Sequence, residues 1–245
     1  MKKRPRIHIG TSGWEYRHWE KEFYMQRYPS GTKLESYSKS LTTVEINNTF
    51  YQLPDKEKLR KWARTVPSHF TFAVKASRYI THIKKMKNPK VSIKRFFSRI
   101  SVLKEKLGPI LFQLPPVWKC NCERLREFIN VLPDGFRYVF EFRNKTWINQ
   151  DVLRILKQNN MTFCMYDLGG WLSPKEITSD LIYVRLHGPG NPYEGSYTAS
   201  VLAGWAGAFH AWAKKGHTVY CYFDNDQNAY APLNALKLQE MIQGD

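Results

Sequence analysis

The sequence has no CxxC pair, no HxH or HExxH spacing and only four cysteines, Cys120, Cys122, Cys164 and Cys221. The familiar zinc signatures and a disulfide scaffold are therefore excluded as its organising features, and no metal is assigned. Cys164 and Cys221 lie inside apolar runs, where a thiol behaves as a small hydrophobe, so both are expected to be buried. Cys120 and Cys122 precede an amphipathic helix and are expected in a solvent-side loop with no assigned role. No apolar run approaches the roughly 20 residues needed to cross a bilayer. The start, Met1-Lys2-Lys3-Arg4-Pro5, passes into a strand-like run without an apolar leader. A cytoplasmic protein without a membrane partner is the expectation. No GxGxxG turn, P-loop or GxSxG elbow is present, which removes the common dinucleotide, nucleoside-triphosphate and serine-hydrolase readings. Ser12, Ser77 and His82 are accordingly not read as a triad. No low-complexity linker divides the chain, so residues 1–245 are read as one domain.

Acidic residues are scarce: 21 Asp and Glu face 38 Lys and Arg, a formal net charge of +17. Between residues 58 and 104 there is no acid at all, and 14 basic residues stand there. Such a face serves solubility or binds a polyanion, and both readings stay open.

What the sequence does contain is alternation. Short apolar runs rich in β-branched and aromatic residues fall at 7–10, 43–47, 71–75, 110–113, 138–141, 162–166, 182–186 and 219–223. Helical patterns separate them at 56–65, 123–130, 151–159 and 233–242. Two further stripes, Ile93, Phe96, Phe97, Ile100, Leu103, Leu107 and Val201, Leu202, Trp205, Phe209, Trp212, are expected to face the core; the first is expected to stop at Gly108-Pro109 and the second at Gly216. Residues 168–179 are too short and too punctuated by Gly and Pro for a full helix. Eight strand–helix units in 245 residues indicate an α/β fold, a single (β/α)8 TIM-type barrel of parallel strands with some short or irregular helices.

Chemistry in such barrels gathers at the C-terminal ends of the strands. Those positions hold Gly10-Thr11-Ser12-Gly13-Trp14, Glu45-Ile46-Asn47-Asn48, Lys75-Ala76-Ser77-Arg78, Gln113, Glu141-Phe142-Arg143, Asp167, Arg185-Leu186-His187-Gly188 and Asp224-Asn225-Asp226. The segments Ile9-Gly10-Thr11-Ser12-Gly13-Trp14, Val44-Glu45-Ile46-Asn47-Asn48-Thr49-Phe50-Tyr51, Phe72-Ala73-Val74-Lys75-Ala76-Ser77, Gln113-Leu114-Pro115-Pro116, Glu141-Phe142-Arg143, Arg185-Leu186-His187-Gly188 and Tyr222-Phe223-Asp224-Asn225-Asp226 resemble the domain of unknown function 72, or YecE-like, family, over nearly the whole chain and in order. The resemblance implies a β/α barrel of the kind shared with xylose-isomerase-like and endonuclease-like barrels, and no established activity.

From the residues themselves, Glu45 and Glu141 are candidate acid and base, or else rim carboxylates paired with cations. His187 is a candidate proton shuttle or electrophile. A divalent metal on His187, Asp224 and Asp226 is disfavoured by Lys75, Arg78, Arg143 and Arg185, which are better read as holders of an anion. Thr11, Trp14, Asn47, Asn48, Asp224 and Asn225 complete the candidate substrate site, with Tyr51, Trp147, Tyr193 and Tyr197 available for stacking or for packing. Lys84, Lys85, Lys87 and Lys90 are candidate nucleic-acid contacts on an outward stripe that continues through Lys94, Arg95 and Arg99. Two functions follow. One is an enzyme acting on a phosphorylated or otherwise anionic substrate, including a nucleic-acid component; the other is a non-catalytic nucleic-acid-binding barrel. No cofactor is required by either, and the oligomeric state is left open.

Overall fold

A computed structural model of the protein describes residues 6–25, 27 and 31–244, so the basic start, residues 1–5, lies outside the described residues. Its strands are β1 (Ile7–Thr11), β2 (Thr43–Ile46), β3 (Thr71–Lys75), β4 (Leu107–Leu114), β5 (Tyr138–Phe142), β6 (Thr162–Leu168), the two-residue β7 (Trp171–Leu172), β8 (Leu181–Leu186) and β9 (Thr218–Phe223). Leaving out β7, the hydrogen-bonded order is β1-β9-β8-β6-β5-β4-β3-β2, parallel throughout. The ring is completed where β1 meets β2 through a parallel bridge, Ser12 to Glu45, and through the Gly13 N–H, which donates to the Glu45 carbonyl at 2.9 Å. Eight parallel strands thus form a nearly closed (β/α)8 TIM-type barrel with helices between them.

Gly10 permits that closure. A Cβ there would press into the Thr43 carbonyl group across the β1–β2 seam, so only glycine lets the two strands approach. Gly10→Ala is expected to cost about 1–3 kcal/mol through overpacking, read as a lower urea midpoint with an unchanged slope.

The helices are α1 (Lys33–Ser40), α2 (Lys56–Thr65), α3 (Pro89–Ile100), α4 (Cys122–Ile129), α5 (Gln150–Gln158), α6 (Ala199–Lys214) and α7 (Tyr230–Gln243). Their starts are set by side-chain caps: Asp55, Asn121, Asn149 and Thr198 each accept a first-turn N–H of α2, α4, α5 and α6. Helix α1 is unannounced by hydrophobic periodicity because KLESYSKS is largely polar; its signal is the Thr32 cap, which accepts the Glu35 N–H.

Two of the expected stripes need correction. Ile93, Phe96, Phe97 and Ile100 are buried on α3, but Leu103 belongs to a 3₁₀ turn (Ser101–Lys106) and Leu107 already begins β4. Gly108-Pro109 does not terminate a helix; it lies inside β4, opposite a break in the β3 register between Phe72 and Val74, where proline's missing N–H costs no ladder bond. On α6, Val201 is exposed and only Leu202, Trp205 and Phe209 of the stripe are fully buried. Residues 168–179 form no helix: Gly169 and Gly170, both at positive φ, turn β6 back into β7 as a hairpin.

The large hydrophobic core lies between strands and helices, and a second small cluster of Ala73, Leu111, Val139, Cys164, Leu181, Tyr183, Tyr220 and Tyr222 fills the barrel interior. His8 caps that interior by stacking on Tyr220 at 4.3 Å. Because side chains alternate, the residues two positions beyond Ala73, Val139 and Tyr183 point inward one layer higher. Those residues are Lys75, Glu141 and Arg185.

Candidate active site

Arg185, fully buried on β8, is the hub of this upper layer. Its Nη1 donates to Glu141 Oε2 at 2.9 Å and its Nη2 to Glu45 Oε1 at 2.7 Å, with Asp224 Oδ2 and Ser12 Oγ at 3.3 and 3.2 Å. Burial alone would disfavour its charge, but Glu45, Glu141 and Asp224 hold it protonated. Glu45 is further satisfied by the hydroxyls of Ser12 at 2.8 Å and Tyr183 at 2.6 Å. Glu141 also accepts from Arg143 Nε and has the Cys164 thiol at 3.8 Å. Burial would push the Glu141 carboxyl up; Arg143 and then Arg185 overcome this and hold it well below the usual carboxylate range.

His187 is fully buried at the end of β8. Its Nδ1 lies 2.9 Å from Asp224 Oδ2 and its Nε2 lies 2.9 Å from Arg143 Nη2. A carboxylate accepts and a guanidinium donates, so Nδ1 carries the proton and Nε2 the lone pair. Burial first, then Arg185 and Arg143, push its pKa well below the ordinary imidazole value, which keeps the ring neutral. Asp224 shifts upward because burial outweighs the neighbouring cations. Arg143 completes the layer by lying 4.8 Å over the Tyr166 ring.

Glu45, Glu141, Arg143, Arg185, His187 and Asp224 are therefore joined in one hydrogen-bonded network. Lys75 belongs to the same layer, where its charge favours the ionised forms of Glu141 and Asp224 and the neutral form of His187. Its Nζ sits 4.4 Å over the Phe50 ring. Burial and then Arg185 lower its pKa to about 8.

The anion-holding set is reduced by this pairing. Arg185 is taken up by three carboxylates and Arg143 by Glu141 and His187, while Arg78 is exposed. Thr11 is fully buried, with its hydroxyl bonded to the Gly13 carbonyl and Tyr37. Asn225 is fully buried as well, and its amide donates to the Gly195 carbonyl and Asn234. Trp14, Asn47 and Asn48 line a shallow pocket with Tyr16 and Tyr51 beside the mouth, and the buried Asn47 Oδ1 has no partner among the described residues. Trp147 is core packing, stacked on Phe142, and Tyr197 donates to Asp167. Tyr193 is half-exposed at the mouth, edge-on to His187. His82 is not part of the network: its Nδ1 is bonded to Thr81. Among the described residues no group of three or more His, Cys, Asp or Glu could hold a metal ion. Among the described residues no helix is long and apolar enough to cross a membrane.

Cys164 and Cys221 are buried as expected. Cys120 and Cys122 are half-buried rather than solvent-side, their sulfurs 3.6 Å apart where the loop enters α4. The residue that sequence reasoning misses is Tyr183, which reads as one more apolar strand residue; its signal is its inward register two positions before Arg185. Lys84, Lys85, Lys87 and Lys90 are all exposed.

Comparison with known proteins agrees with the barrel fold. The UPF0759 protein YunF of Bacillus subtilis is 30% identical over 152 residues, 58% of this chain and 52% of its own. The UPF0759 protein YecE of Escherichia coli K12 is 28% identical over 139 residues, 56% of this chain and 48% of its own. The chain thus spans about half the length of the curated relatives it matches. A solved protein of the DUF72 family from Thermotoga maritima superposes with a TM-score of 0.85 at 24% identity, covering 97% of this chain and 99% of that one. A family model described as protein of unknown function DUF72 matches residues 8–245, and the chain belongs to that family.

Proposed function

We propose that the strand-end network is the active site of an enzyme acting on a small anionic substrate, a phosphorylated one in the first instance, by acid–base chemistry. One observation carries the reading: the buried chain Asp224–His187–Arg143, which presents a neutral imidazole with its tautomer fixed. Arg185 Nη1 also lies 3.3 Å from Nε2, so a substrate hydroxyl or amine that replaces the nearer Arg143 meets a lone pair aimed by the carboxylate behind it and shared only with that longer contact. Arg143, whose Nη1 has no partner among the described residues, then turns toward the substrate's anionic group, and the charge of Lys75 in the same layer adds to the attraction. Glu45 and Glu141 take a different part from the acid and base that their strand-end positions suggest. Both are sealed from solvent and hydrogen bonded to Arg185, so they fix the guanidinium rather than exchange protons.

Titration calorimetry with inorganic phosphate tests this at low salt. The wild type is expected to bind saturably, and Arg143→Met and Lys75→Met are each expected to weaken binding by about 10- to 100-fold, the value of one charge-assisted hydrogen bond of about 1.5–3 kcal/mol. Absence of saturable binding in the wild type refutes the reading.

A second reading rests on a different feature. A cleft of about 690 Å³ opens beside the mouth and is lined by Tyr51, Tyr79, Lys84 and Arg95 among others. Tyr51 is 70% and Tyr79 47% exposed, so aromatic faces and cations stand together on one surface. That combination suits the bases and phosphates of a single-stranded nucleic acid.

A further inference from the structure

We infer that Lys75 is an imine-forming nucleophile, so that the substrate of this site carries an aldehyde or ketone carbonyl. This rests on the reading of the strand-end network as an active site and adds the substrate's reacting group.

The argument starts from what Lys75 lacks. A lysine placed only for stability inside a barrel is expected to pair with a carboxylate, since an unpaired buried charge is costly. Lys75 is 7% exposed at the end of β3, with three acids in its layer. Yet Glu45 and Glu141 are held by Arg185 and Arg143, and Asp224 by Arg185 and His187. Among the described residues Lys75 Nζ has no hydrogen bond and no ion pair, only the face of Phe50. The arginines have pre-empted its counter-ions, and the amine is left free to react. A desolvated lysine beside another cation is the arrangement that makes an amine nucleophilic near neutral pH. Its pKa of about 8 gives it a far larger neutral fraction at pH 7 than a surface lysine has.

The step balances without an oxidant or cofactor. The Nζ lone pair forms a C–N bond to the carbonyl carbon as the C=O opens to a carbinolamine. The C–O bond then breaks, and the oxygen leaves as water carrying the two protons of the amine. One further proton converts the imine to the iminium ion. It comes from solvent, which reaches the small part of Lys75 left exposed at the end of β3.

The test is reductive trapping of the full chain with sodium cyanoborohydride and either glycolaldehyde or glycolaldehyde phosphate at pH 7, followed by peptide mass mapping. Lys75 is expected to be labelled at least about 10-fold faster than the exposed Lys94 and Lys157, reflecting the roughly two-unit pKa difference from an ordinary lysine discounted for access. Its labelling rate is expected to level off above about pH 8 while theirs keeps rising. Labelling of Lys75 no faster than of those two overturns the inference, even where inorganic phosphate binds and the active-site reading survives. Fast labelling by both aldehydes alike supports the imine while removing the preference for an anion. Fast labelling that favours the phosphorylated aldehyde supports both.

Discussion

Arg185→Met is expected to destabilise the fold by about 3–5 kcal/mol at pH 7, the usual cost of removing one partner from a buried ion pair. Methionine fills much of the arginine's volume, so the loss measures charge rather than a cavity. Glu45 keeps the hydroxyls of Ser12 and Tyr183, and Glu141 keeps Arg143, but each loses the guanidinium shared between them. The effect depends on pH with a definite sign. In the wild type the Glu141 carboxyl is depressed, so its contribution is fully present above the unfolded carboxylate pKa, begins to fall there and is lost as pH falls on through the lower folded pKa. In the variant Glu141 loses one of its cations and takes up a proton at higher pH than in the wild type. The two stability curves are therefore farthest apart at pH 7 and approach each other as pH falls through about 4, the ordinary glutamate range. Urea unfolding of both proteins across that range gives the comparison. A loss below about 1 kcal/mol at pH 7 means the network is hydrated and worth no more than a surface pair.

Adding Glu45→Gln and Glu141→Gln to that variant is expected to restore part of the stability, because two carboxylates left without the guanidinium are then neutral; the recovery is only partial because Arg143 loses Glu141 and Asp224 keeps its charge. The two glutamates are coupled through one guanidinium, so the recoveries are non-additive.

How legible this network is from sequence follows from strand register. Lys75, Glu141 and Arg185 stand out because a charge at the end of an otherwise apolar run is rare, and the barrel topology alone brings strand ends together. Partner assignment is not legible in the same way. Nothing in the sequence says that Arg185 takes three carboxylates and leaves Lys75 with none; that depends on which strands are neighbours and on reach across the barrel. Tyr183 is hidden for the opposite reason, since a tyrosine within LIYVRL looks like strand packing until its inward face is known. The strands are read well because parallel strands covered on both faces are continuously apolar. Leu107 is misassigned because its register fits the preceding stripe, and Gly108-Pro109 looks like a helix stop where it actually occupies a β-bulge.

The Lys84, Lys85, Lys87 surface leads to the largest expected change in affinity. Residue 86 anchors it: Met86 is fully buried and its N–H bonds to the Ile80 carbonyl at 2.9 Å, so the flanking lysines are carried on an ordered turn. Lys94 and Arg95 continue outward along α3, opposite the buried Ile93, Phe96 and Phe97. A strand of nucleic acid laid in the cleft would meet Tyr51 and Tyr79 with its bases and Lys84 and Arg95 with its phosphates, and would pass the exposed Lys85, Lys87 and Lys94 beside it. Each neutralised phosphate of a single strand contributes about 0.7 to the slope of log affinity against log salt. Charge reversal at Lys84, Lys85 and Lys87 together is expected to flatten that slope by about 2 and to lower affinity for single-stranded DNA by about 100-fold or more at low salt. The fold should be unaffected, because exposed substitutions seldom exceed about 0.5 kcal/mol each. Tyr51→Ala separates stacking from charge: it is expected to weaken binding by about 1–3 kcal/mol at every salt concentration without changing the slope. Fluorescence anisotropy with a labelled oligonucleotide over a salt series measures both. If the wild type fails to bind even at the lowest salt, the stripe serves solubility alone, and the strand-end site must find its substrate among small molecules.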